Sequence, residues 1–493
     1  MLGHPRGLQT LFFTEMWERF SYYGMRALLI LFMTATIESE GMGLTTETAG
    51  AIYGLYVALV YLMALPGGWI ADRLLGQRQA VFVGGCIIAA GHFSMAIPAT
   101  ATFFSGLLLI TIGTGLLKPN VSAIVADLYP EGGARRDAGF SIFYMGINLG
   151  AFIGPLICGA LAQGFKMGSW IEFSGNWHYG FGAAGFGMVA GVIQYRLGYP
   201  GLKDAGLRVV HAQHPTAVRD ARRKLGRGLL LGLGLALLAV GLQAMGVIQL
   251  TAEKVANGTG VFIVGLAAVY FAWLLAAGGL DTLEKKRLGV IICLFIGSAI
   301  FWAGFEQAGS SLNLFADQLT NLNILGWAMP SSWLQSVNPL FIILLAPVFG
   351  WLWVWLAHRE PSIPVKFALG LLLLAAGFLV VAWGASFAGA DHKVSPMWLV
   401  MTYFFHTAGE LCLSPVGLSS VTKLSPRRLV GQMMGLWFTA TALGNLMAGL
   451  MGGLFEKLAL PTLFGSVALL AGGTGVLFLL FTPWIRRMIG PLR

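Results

Sequence analysis

The sequence predicts an all-α membrane protein of fourteen transmembrane helices, arranged six, two and six. Three observations predict it. The first is composition: 57% of the 493 residues are hydrophobic and 11% are charged, where a soluble domain carries about 25% charged residues, and the mean hydropathy is +0.76. The second is a recurrence of apolar segments, each long enough to cross a hydrocarbon core of about 30 Å. The third is that the last six segments repeat features of the first six.

The first six spans are expected at about 8–35, 46–71, 78–98, 102–128, 137–163 and 179–199. A polar stretch from Pro200 to Arg227 follows, with Arg219, Arg222, Arg223 and Lys224 close together; it suits a basic linker, with room for a short interfacial helix. Two plainer spans, about 228–249 and 259–279, are rich in Leu, Ala and Gly and suit packing or lipid contact. After Glu284-Lys-Lys-Arg287 come the last six, about 288–316, 334–357, 363–387, 396–422, 429–455 and 461–484. This divides the chain into an N-terminal bundle (1–200), a basic linker with two extra helices (201–286) and a C-terminal bundle (287–493).

The repeat is visible without gaps. Pro119-Asn-Val-Ser-Ala-Ile-Val-Ala-Asp-Leu-Tyr-Pro130 lies over Pro415-Val-Gly-Leu-Ser-Ser-Val-Thr-Lys-Leu-Ser-Pro426, and an arginine pair follows each, Arg135-Arg136 and Arg427-Arg428. The stretch Phe143–Gly159 lies likewise over Trp437–Gly453, sharing a Leu-Gly step and the small-residue spacing that lets helices approach closely.

The formal charge of +10 reports topology. Roughly two dozen Lys and Arg fall in one alternate set of loops, against Lys166, Lys254, Lys393 and Lys457 in the other, the asymmetry expected when the basic loops and both termini are cytoplasmic. Nucleic acid is therefore not an expected partner. The four cysteines sit in apolar runs without metal-ligand spacing, which suits packed thiols. The first apolar run is too long for a cleavable signal and carries charges in its middle. With no nucleotide loop, metal cluster, catalytic triad or redox motif, neither an enzyme nor direct ATP drive is indicated.

Charges inside spans are costly, roughly 2.5–3.5 kcal/mol each on insertion scales, and so point to function. The first span holds Glu15, Glu18, Arg19, Tyr22, Tyr23 and Arg26. At about 100° per residue Glu15, Glu18, Arg19, Tyr22 and Arg26 share one face, with Trp17, Phe20 and Leu28 elsewhere. Lys118 lies deep in span four, either snorkelling or paired with an acid of span one. Glu306 and Glu410 are the buried acids of the second half, either in gating ion pairs between halves or in static pairs that fix helix register. Asn148 suits a cavity wall or helix packing; Asn338 suits a cap before Pro339 or a cavity wall. Tyr61, Trp302 and Trp437 are by type packing or ligand-contact aromatics, and of the histidines His92 and His406 lie within spans.

The motifs resemble those of the proton-dependent oligopeptide transporter (POT, or PTR) family of the major facilitator superfamily. Glu-x-x-Glu-Arg-Phe-x-Tyr-Tyr-Gly is complete from Glu15 to Gly24, Phe-Tyr-x-x-Ile-Asn-x-Gly from Phe143 to Gly150, and the element Glu410-Leu-Cys-Leu-Ser414-Pro415-Val-Gly417 is present. Gly68-Trp-Ile-Ala-Asp72-Arg73-Leu-Leu-Gly76-Gln-Arg78 is similar to the superfamily's loop between helices two and three. The resemblance implies parallel repeats with a site between them near the midplane. It implies an N-terminal wall of Tyr22, Tyr23, Arg26, Tyr61, Lys118 and Asn148, and a C-terminal wall of Trp302, Asn338, Glu410, Ser414 and Trp437. A dipeptide zwitterion needs opposite partners for its two ends: Arg26 and Lys118 for the carboxylate, Glu410 with Asn148 and Asn338 for the amine.

The same resemblance implies proton coupling at Glu15, Glu18, Arg19, Lys118 and Glu306, and gates formed by Arg26 with Glu306 and by Lys118 with Glu410. Span two lacks the histidine that some members place there, so coupling would rest on carboxylates. The implied protein is a symporter of di- and tripeptides with protons in a bacterial cytoplasmic (inner) membrane, functional as a monomer without cofactor. The alternatives are a relative carrying nitrate or another small solute, disfavoured by Glu410, and a peptide sensor that does not transport.

Overall fold

The computed structural model describes residues 3–207, 215–324, 326–389 and 392–490, with the side chains of Pro215 and His358 excepted. Fourteen long helical segments appear among them. Seven precede the middle of the chain: α1 Arg6–Thr34, α2 Thr46–Leu75, α3 Gln77–Met95, α4 Thr100–Asp127, α5 Gly133–Gln163, α6 Trp177–Leu197 and α7 Pro215–Ala244. The rest are α8 Ala252–Ala277, α9 Thr282–Phe305, α10 Val337–Leu356, α11 Ile363–Ala385, α12 Met397–Leu424, α13 Val430–Gly452 and α14 Leu460–Leu480. Ten are long and apolar enough to cross a membrane; α1, with four charges in its interior, is one of the others.

Three boundaries differ from the sequence reading. The basic stretch expected to be a linker is helical from Pro215 and continuous with α7. The span expected at 288–316 ends as an α-helix at Phe305, turns through a 3₁₀ segment at Glu306–Gly309 and resumes as Ser311–Leu319. The third is a small sheet in an otherwise helical protein. Strands β1 Phe165–Met167, β2 Ile171–Phe173, β3 Asn323–Ile324 and β4 Trp327–Ala328 pair antiparallel in the order β2-β1-β4-β3. Each half contributes one hairpin, and the β1–β4 pairing, Lys166 opposite Ala328 and Met167 opposite Trp327, joins them.

Within the N-terminal half α1 packs against α5 and α6. Gly150 permits this: a Cβ there would lie 2.1 Å from the Met16 carbonyl oxygen, so α5 touches α1 backbone to backbone, as small residues allow in membranes. The C-terminal half packs α11 against α12 and α14. Between the halves α2 lies against α13, again through glycines: a Cβ on Gly449 would meet Gly54 Cα at 2.4 Å and the Gly50 oxygen at 2.5 Å.

The extra helices differ from each other. α8 packs on both α2 and α13. At one end its Glu253 accepts from the Thr48 hydroxyl at 2.5 Å. At the other, Tyr270 donates to Gln432, and Arg428 donates to the Gly279 carbonyl at 2.7 Å. α7 by contrast is solvated along its apolar length: none of that stretch is buried, and a Cβ on Gly228, Gly232 or Gly234 would meet nothing within 4 Å. The cysteines are free thiols, Cys158 and Cys412 buried.

Candidate substrate cavity

Four helices of one half and five of the other enclose a cavity of about 1580 Å³. Glu15, Arg19, Tyr23 and Arg26 of α1, Tyr61 of α2, Lys118 of α4 and Asn148 of α5 line one wall. Trp302 and Glu306, Asn338 of α10, Glu410 and Ser414 of α12, and Trp437 of α13 line the other. The cavity continues to the end of the molecule where Glu360, Lys423 and Arg486 sit at its rim.

At the opposite end the halves are joined. Arg26 Nη1 and Glu306 Oε2 lie 2.8 Å apart, both side chains nearly fully buried. One turn beyond, Asn313 Nδ2 donates to the Ala27 carbonyl at 2.8 Å. Further out, Ser336 donates to the Phe152 carbonyl at 2.7 Å, Trp333 Nε1 to the Leu156 carbonyl at 2.9 Å, and Lys457 pairs with Glu47 at 2.6 Å. The β1–β4 pairing completes this closure.

The buried charges of α1 form one cluster. Arg19 holds both oxygens of Glu18, Nη2 to Oε1 at 2.8 Å and Nε to Oε2, and its Nε also lies 3.3 Å from Glu15 Oε1. The second oxygen of Glu15 has no partner. Lys118 lies over the Tyr61 ring, 4.0 Å from its centroid, a cation–π contact that gives the ammonium a partner away from water. Among the described residues Lys118 forms no ion pair with Glu410, one oxygen of which is buried without a partner. Of the two gates implied by the resemblance, the Arg26–Glu306 contact is made and the Lys118–Glu410 contact is not.

Most of the predicted site residues meet at this cavity; two do not. Glu18 and Tyr22 are buried beside its wall, where Tyr22 stands under the Arg19 guanidinium at 5.0 Å. The cavity-lining stripe of α1 is Glu15, Arg19, Tyr23 and Arg26, and the predicted face is rotated from it by about 40°. Asn148 donates to the Tyr144 carbonyl of its own helix at 3.0 Å. Asn338 donates to Thr407 Oγ1 at 2.8 Å and so ties α10 to α12. Trp437 rests on Gly417, where a Cβ would come within 2.4 Å of the indole. His92 is fully buried away from the cavity, whereas His406 reaches its wall.

Sequence reasoning did not single out Phe305 or Tyr403, which also line the cavity. Tyr403 was accessible to it: positions 403, 406, 410 and 414 form one stripe at helical spacing on α12. Lys118 is followed by Pro119, and Ser414 by Pro415, at equivalent places in the two repeats. Proline lacks the amide that would bond the carbonyl four residues earlier, so each helix loses one backbone bond next to a residue that lines the cavity.

The sequence model of the POT family matches residues 78–208 and 274–465. The chain belongs to the POT family. Peptide transporter YePEPT of Yersinia enterocolitica subsp. palearctica is 44% identical to it over 500 residues, covering 99% of this chain and 96% of that protein. A di-/tripeptide transporter of Lactococcus lactis subsp. cremoris is 36% identical over 506 residues, covering 100% and 98%. Among solved structures, peptide transporter POT in complex with alafosfalin superposes with a TM-score of 0.88 at 41% identity, covering 100% and 97% of the two chains. A POT family transporter in complex with 5-aminolevulinic acid gives 0.89 at 35%, covering 98% of each. The fold is thus the major facilitator type, and the chain is a multi-pass membrane transporter of a bacterial family, not an enzyme.

Proposed function

We propose that this protein is a proton-coupled symporter that imports di- and tripeptides across the bacterial cytoplasmic membrane by alternating access. The observation that carries the reading is a cavity between two halves with cations on one wall, Arg26 and Lys118, and the Glu410 carboxylate on the other. A zwitterionic peptide matches that polarity, and the relatives named as peptide transporters supply the substrate class. Arg26 and Lys118 receive the peptide carboxylate; Glu410, with Asn148 and Asn338, receives the amine. Tyr23, Tyr61, Trp302, Ser414 and Trp437 complete the walls, while Tyr22 supports Arg19 from behind.

The basic loops mark the cytoplasmic side, so both termini are cytoplasmic and the conformation is open inward. The halves are residues 1–200 and 287–493, and the intervening segment supplies α7 and α8. Protons enter through the Glu15–Glu18–Arg19 cluster with Lys118, and through Glu306, whose neutralisation releases Arg26. Each protomer holds a complete cavity and works as a monomer with protons as its coupling ion.

The test is uptake of labelled dialanine into proteoliposomes under an inward proton gradient. Accumulation is expected, competed by other dipeptides and untouched by nitrate; competition by nitrate, or binding without accumulation, refutes the reading. A second expectation concerns the sheet. Antiparallel partners bring Cβ atoms to about 4.5–5.5 Å, near disulfide reach. Oxidising the double variant Lys166→Cys/Ala328→Cys is expected to lower uptake at least about tenfold, equivalent to about 1.4 kcal/mol against outward opening, with recovery on reduction. Full uptake by fully cross-linked protein would mean that the hairpins stay paired throughout the cycle.

A further inference from the structure

We propose that the start of α7 is a binding surface for anionic phospholipid headgroups. Arg219, Arg222, Arg223 and Arg227 fall within an arc of about 140° at helical spacing, and all four are exposed. The other side of the same turns holds Val218, Ala221 and Leu225, partly or fully buried, where the helix meets the last residues of α2, Ala71–Leu75. The arginines therefore point away from the protein.

Among the described residues none of the four has a hydrogen-bond or ion-pair partner, and neither has Asp220 beside them. Surface arginines commonly lie free in water, but this surface continues without interruption into a helix whose apolar length is wholly exposed. The leucines from Leu229 to Leu238 have no protein to pack against and are covered by acyl chains. The arginine arc therefore sits at headgroup depth, where planar guanidinium groups bond phosphate oxygens in pairs. Clusters of four or more basic side chains next to a membrane span recognise anionic lipid in this way. The lipid fixes the depth of a helix that the rest of the protein does not hold.

The experiment uses the full chain in phosphatidylcholine mixed micelles, titrated with phosphatidylglycerol, with bound lipid counted by native mass spectrometry. Preference for phosphatidylglycerol over phosphatidylcholine is expected to be roughly tenfold at low salt and to weaken at about 0.5 M salt, where charges are screened beyond a few ångströms. R219Q/R222Q/R223Q/R227Q is expected to bring the preference close to one. The corresponding four-lysine variant, which keeps the charge and the orientation that charge gives the chain, is expected to retain most of it and guards against misinsertion of the glutamine variant. An undiminished preference in the glutamine variant overturns the proposal. So does displacement of phosphatidylglycerol by inorganic phosphate, which would reveal a site for the free anion.

Discussion

Glu18→Gln is expected to abolish accumulation of dialanine under a proton gradient while leaving counterflow exchange intact. Glu18 is almost completely buried, and both its oxygens are held by Arg19, so the amide keeps one acceptor for the guanidinium, turns the other into a donor as protonation would, and removes the charge. The variant is a permanent stand-in for the protonated state. One pH unit contributes about 1.4 kcal/mol and 100 mV about 2.3 kcal/mol per charge, together equivalent to roughly 500-fold accumulation for one proton. The variant should reach equal concentrations on both sides instead. Persistent accumulation would remove Glu18 from the coupling route and leave Glu15, which lines the cavity and has one oxygen buried without a partner among the described residues, as the carboxylate to examine.

Gly449→Ala is expected to prevent closure of the outer end. The added methyl would stand 2.4 Å from the Gly54 backbone, and neither helix can yield without parting the halves. Overpacking of this kind costs about 1–3 kcal/mol. Because the strain exists only where α2 and α13 touch, it lowers the closed population by about 5- to 150-fold. Uptake should fall accordingly, and cysteines placed beside Gly449 should become reactive from outside. Gly473→Ala is the matched control, since a Cβ there meets nothing within 4 Å. Normal uptake by the Gly449 variant would show that this contact does not define the closed state.

The helices and the two halves were legible because burial in lipid demands long apolar segments and because the repeats kept Pro119 and Pro415 in register. The site residues were legible through the cost of their charges in an apolar span. What escaped was set by partners remote in sequence. Neither Phe165–Met167 nor Trp327–Ala328 carries the alternation of a strand long enough to recognise; each is extended because the other is opposite it. The break after Phe305 does fall where the sequence turns polar, at Glu306, Gln307, Ser310 and Ser311, but the length of the surrounding apolar run outweighed that signal. The rotation of the α1 face follows from α5 and α6, which claim one side of that helix, and a wheel drawn from one sequence has no knowledge of its neighbours. The Lys118–Glu410 contact implied by the resemblance is not made in this structure, where Lys118 lies over the Tyr61 ring instead.

The helix α8 is fastened at its two ends to different bodies. Glu253 holds Thr48 of the first half, while Tyr270 and the carbonyl of Gly279 hold Gln432 and Arg428 of the second. A rod pinned across a hinge behaves as a lever. When the halves rock, α8, which packs on both α2 and α13, must swing with one of them and slip on the other. The rod flanks the contact of α2 with α13, so how firmly its two ends are held adds to the stiffness of that hinge.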